Sequence, residues 1–67
     1  MQKNGHKSTV EEVKRKDMVR AVHDLEVGRY RHDWRGIKEA AGYYGLDPRL
    51  LEHNYHEGVS SAEDVVL

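Results

Sequence analysis

The residues of this 67-residue chain with chemical potential are its cations and its imidazoles. Eleven lysines and arginines and five histidines are spread over the chain, with no cysteine. Tyr30 lies among Arg29, Arg31 and Arg35, and a basic patch with an interleaved aromatic ring is suited to stacking on a base or anchoring a protein partner. The plainer alternative is that the ring covers its own neighbours. His53 and His56 share a helix face at i, i+3 and would reach one ion together, with Glu52 or Glu57 adding an oxygen. Zinc requires three or four ligands, however, and the HExxH pattern is missing, so these imidazoles read as surface histidines and no metal or other cofactor is expected. The candidate nucleophiles Ser8, Thr9, Ser60 and Ser61 fall at chain ends or helix caps without a rigid base beside them. No glycine-rich phosphate loop is present, and the expectation is a protein without catalysis.

The charge is unevenly divided. Residues 1–38 hold ten cations and six acids, a balance of +4; residues 39–67 hold Arg49 and six acids, a balance of −5; together they give the net −1. A polyanion would meet the first half, at Lys14, Arg15, Lys16, Arg20, Arg29, Arg31, Arg35 and Lys38. Alternatively, two solvated faces of opposite charge attract each other or a neighbouring copy.

The elements that must position these groups are short helices. Thr9-Val10-Glu11-Glu12 has the form of a capping box, and Val10, Val13, Met18, Ala21, Val22 and Leu25 recur at helical spacing up to Gly28. Asp33 is the N-cap expected for a second helix, whose stripe is Trp34, Ile37, Ala41 and Tyr44. Gly42 in its interior suggests a close helix crossing. Gly45 ends it, and Asp47-Pro48 opens a third helix facing inward through Leu50, Leu51 and Tyr55. The expected helices are 9–27, 33–44 and 47–57. The expected core is Met18, Val22, Leu25, Trp34, Ile37, Ala41, Tyr44, Leu46, Leu51 and Tyr55. Ser60-Ser61-Ala62-Glu63 offers a second capping box with little helix to follow it. The spacing therefore predicts an all-α, three-helix (possibly four-helix) bundle over 9–58, after a disordered arm at 1–8 and before a flexible or weakly helical tail at 59–67. With no apolar run near ~18 residues and no signal-like N-terminus, the cytoplasm is the expected compartment.

Residues 37–56 carry a further pattern. Counting from Ile37, a small residue stands fifth (Ala41) and glycine ninth (Gly45); apolar residues stand fourth, eighth, tenth and fifteenth (Ala40, Tyr44, Leu46, Leu51). This stretch resembles the twenty-residue helix-turn-helix of bacterial and phage DNA-binding regulators. It departs from that motif at the eighteenth position, where Asn54 replaces an aliphatic residue. The resemblance implies DNA binding, with phosphates held by the cations named above and bases read by Arg49 and His53. Glu52 and Glu57 on the same helix suit phosphate contact poorly, so the alternative is a protein-binding adaptor or inhibitor docking through its acidic second half. A homodimer is compatible with either, since a thin core gains from sharing.

Overall fold

The computed structural model describes residues 9–67. These form three α-helices, α1 (Val10–Glu26), α2 (Trp34–Tyr44) and α3 (Pro48–His56), followed by a three-residue 3-10 turn at Ala62–Asp64. Among the described residues there is no strand, and the three α-helices pack against one another in every pairing. The arm expected at 1–8 lies outside the described residues.

Each helix begins where a side chain satisfies the free amides of its first turn. Thr9 accepts from the Glu12 amide at 3.1 Å while Glu12 accepts from the Thr9 amide at 3.0 Å, closing the box. These bonds hold the Glu12 carboxyl below the usual carboxylate range. Asp33 caps α2 by accepting from the Gly36 amide, and Asp47 caps α3 by accepting from the Arg49 amide. Between α2 and α3 the chain reverses through Gly45, whose φ of 69° lies in the left-handed region that glycine enters without a Cβ clash.

The core is Met18, Ala21, Val22 and Leu25 from α1, Ile37, Ala40 and Ala41 from α2, Leu51 from α3, and Val59 and Val65 from the segment after α3. Tyr30, Tyr44, Leu46, Leu50 and Tyr55 pack against it half-buried, so Tyr44, Leu46 and Tyr55 close its rim rather than fill its centre.

Three expectations are corrected. Trp34 is 39% exposed, because it is the first residue of α2 and the buried face begins at Gly36. The buried stripe of α1, by contrast, starts at Met18, where the expected core starts, with Val10 and Val13 exposed. The close approach falls at Gly36 rather than Gly42: a Cβ on Gly36 would stand 1.8 Å from the Arg31 carbonyl oxygen, whereas one on Gly42 would meet nothing within 4 Å. The tail is packed, with Val59 and Val65 buried, and its turn is capped by Ser61, which accepts from the Glu63 amide, not by Ser60. Its helical part is the three-residue 3-10 turn at Ala62–Asp64. It is held by side chains from α1 and α3 that local sequence does not reveal.

Candidate nucleic-acid interface

The outer face of α3 carries Arg49, His53 and His56, all exposed and spaced i, i+4, i+7, which places them on one stripe. Glu52 is half-buried beside this stripe and Glu57 is exposed at its end. At that end the rings of Tyr55 and His56 lie 5.8 Å apart, and His32, from the connector between α1 and α2, lies 6.2 Å from Tyr55. The basic connector therefore reaches the end of α3. Arg31, Arg35 and Lys38 line one shallow depression with Glu39, at the start of α2.

The ten residues expected at a nucleic-acid interface are separated by their partners. Arg20 pairs with Asp17 at 3.3 Å, Arg29 with Asp24 at 3.2 Å, and Arg31 with Asp33. Arg31 and the Gly36 amide together hold the Asp33 carboxyl below the usual range, the amide being the larger cause. Arg15 binds Glu11 at 3.1 Å and is turned inward to donate to the Val65 and Ala62 carbonyls at 2.8 and 3.2 Å. No carboxylate lies within ion-pairing distance of Lys14, Lys16, Arg35, Lys38 or Arg49 among the described residues. Of these, Lys16 lies with Arg15 beside Ala62 and Glu63, and Lys14 lines a groove with Leu46 and Leu50. Arg35, Lys38 and Arg49 are thus the unpaired cations of the α2–α3 pair. Tyr30 is half-buried against the core, which is the plainer of its two readings.

Two buried polar side chains escaped the sequence reading. Asp24, 6% exposed, accepts from the Tyr44 hydroxyl at 2.6 Å and from Arg29. Its position on the face of Ala21, Val22 and Leu25 was the available signal. Asn54, 0% exposed, donates to the Leu50 and Val66 carbonyls and accepts from the Val66 amide at 2.9 Å. This explains the departure from an aliphatic residue there, since the tail brings the polar partners.

Among the described residues no three His, Asp or Glu side chains converge on a point that could hold a metal ion, and no helix is long and apolar enough to cross a membrane. No protein-family model, curated protein or solved structure matches the chain.

Proposed function

We propose that the protein is a small non-catalytic regulator that binds DNA through a helix-turn-helix formed by α2 and α3, with α3 as the recognition helix. The observation that carries this reading is the exposed stripe Arg49, His53 and His56 on a helix whose partner holds the unpaired cations Arg35 and Lys38. Arg35 and Lys38 hold phosphates, a sequence-independent and salt-sensitive contribution. Arg49, in the first turn of α3, and His53, one turn on, meet base edges. Lys14, Lys16, Arg20, Arg29 and Arg31 contribute to the field rather than to contacts, and Arg15 is committed to the tail.

The test is fluorescence anisotropy with a random-sequence duplex at low salt, repeated as salt is raised. Binding should weaken with salt. Removing the charges of Arg35 and Lys38 should lower affinity for every sequence and flatten the salt dependence by up to ~0.9 unit of slope per lost contact. Removal of Arg49 should act on sequence preference instead. Failure to bind any duplex at low salt would overturn this reading.

A second reading, a protein-binding adaptor or inhibitor, is favoured by Glu52 on α3, by Glu57 at its C-cap and by the open groove lined by Val10, Leu46, Leu50 and Leu67. It gains if DNA binding fails. Reversing the charges of Glu52 and Glu57 would then abolish the protein complex.

A further inference from the structure

After Gly58 the chain turns back, at φ 69°, and residues 59–67 lie across α1 and α3. Asn54 grips the backbone of Val66 on both sides: its Nδ2 donates to the Val66 carbonyl at 2.9 Å and its Oδ1 accepts from the Val66 amide at 2.9 Å. Arg15 grips the same segment from α1, through the carbonyls of Val65 and Ala62. All of these bonds go to main-chain atoms. Of the side chains in 62–67, Val65 alone is buried, while Val66 and Leu67 stay 47% and 43% exposed. The seat between α1 and α3 therefore recognises the turn at Ala62–Asp64 and the residues after it by their backbone and by one aliphatic side chain, as peptide-binding grooves do.

We infer that this seat is an interaction surface for a second copy of the chain, which fills it with its own residues 62–67 in a reciprocal exchange. The segment already in place is the argument for this occupant. A second copy offers the same atoms, the contacts of residues 62–67 to Asn54, Arg15 and the core are kept, and the hinge at Gly58–Ser61, with Val59 in it, changes conformation. In the single chain the short tether gives the segment an effective concentration on the order of millimolar, and exchange competes when protein concentration approaches that value. Shortening the tether removes the advantage. Deleting Ser60 and Ser61 takes away roughly 7 Å of reach, at ~3.3–3.6 Å per residue.

The experiment is sedimentation velocity on the full chain and on the chain lacking Ser60 and Ser61, across a concentration series. The full chain should be monomeric at micromolar and partly dimeric at millimolar concentration. The deletion should shift dimerisation to at least tenfold lower concentration. A deletion variant that folds and stays monomeric throughout overturns the proposal, as does a dimer that survives in the double variant Arg15→Ala, Asn54→Leu. Should the deletion variant not fold, mixing decides. Val65→Asp has a defective segment and an intact seat; the Arg15→Ala, Asn54→Leu chain has the reverse. Together they form one complete seat only by exchange. A dimer appearing on mixing, absent from either alone, supports the proposal, and its absence overturns it.

Discussion

Tyr44 donates its hydroxyl hydrogen to Asp24 Oδ2 across 2.6 Å, tying the last turn of α2 to the last turn of α1 through a carboxylate that is itself buried. Arg29 completes the arrangement from the connector, donating to Oδ1 at 3.2 Å. Three successive elements thus meet at one charged group, and each carries part of the cost of burying it.

The Tyr44 contact contributes stability that alkali removes. The hydrogen bond to Asp24, then burial, push the Tyr44 phenol up to about 12. A folded value above the unfolded value of about 10 means that the contribution is full below pH 10 and is lost as pH rises from about 10 to 12. Tyrosinate absorbance should show one ionisation near pH 12, and Tyr44→Phe should remove it. At neutral pH that substitution should cost about 1.5–3 kcal/mol, the range for a hydrogen bond to a charged group. Urea unfolding of both chains should find the difference gone at the alkaline end.

Gly36 and Gly42 should respond oppositely to the same change. Gly36→Ala drives a Cβ into the Arg31 carbonyl, which is main chain and cannot swing aside, so α2 must shift from the connector. Gly42→Ala meets open space in a helix interior and should stabilise by about 0.5–1 kcal/mol. Thermal midpoints of the two variants, read against the parent, check the pair.

Asn54→Leu restores the aliphatic residue expected of a helix-turn-helix and should nevertheless destabilise. It orphans the Val66 amide and carbonyl, and leaving such groups unmet costs about 1–3 kcal/mol. Hydrogen exchange at the Val66 amide should accelerate more than exchange in α2. Unchanged protection there would show that the tail is held by Arg15 and Val65 alone.

Ile37→Ala and Leu51→Ala each empty a fully enclosed site and should cost about 2–5 kcal/mol, a large share of the stability of a domain this small. Denaturant midpoints read the loss. Trp34→Ala, at an exposed helix start, should fall well short of it.

What was legible in the sequence followed from local chemistry. Thr9, Asp33 and Asp47 mark helix starts because a cap and its amides lie within three residues of each other, and Gly45 marks the reversal because its φ is a property of one residue. Two of the misread features depend on distant partners, and a third on position within a helix. Asn54 breaks an aliphatic pattern until Val66, twelve positions on, supplies its hydrogen bonds. Arg15 belongs to a basic stretch until Val65, fifty positions on, draws it inward. Trp34 has the angular position of a core residue, and only its place at the helix end exposes it. At the candidate site, the basic residues were visible and their pairing was not. The pairing carboxylates, Glu11, Asp17, Asp24 and Asp33, lie two to five residues from their cations, and side-chain geometry rather than sequence distance decides which cations are left over.

The strap from Arg15 and Asn54 to the tail also bears on time. Its Arg15–Val65 contact closes a span of fifty residues, so its ordering cost is met late, after neighbouring helices have docked through contacts close in sequence. An interaction absent from the barrier crossing leaves the forward rate almost untouched and slows the return. Helix pairing should therefore govern how fast the chain folds, while the strap governs how long each folded molecule lasts before it opens.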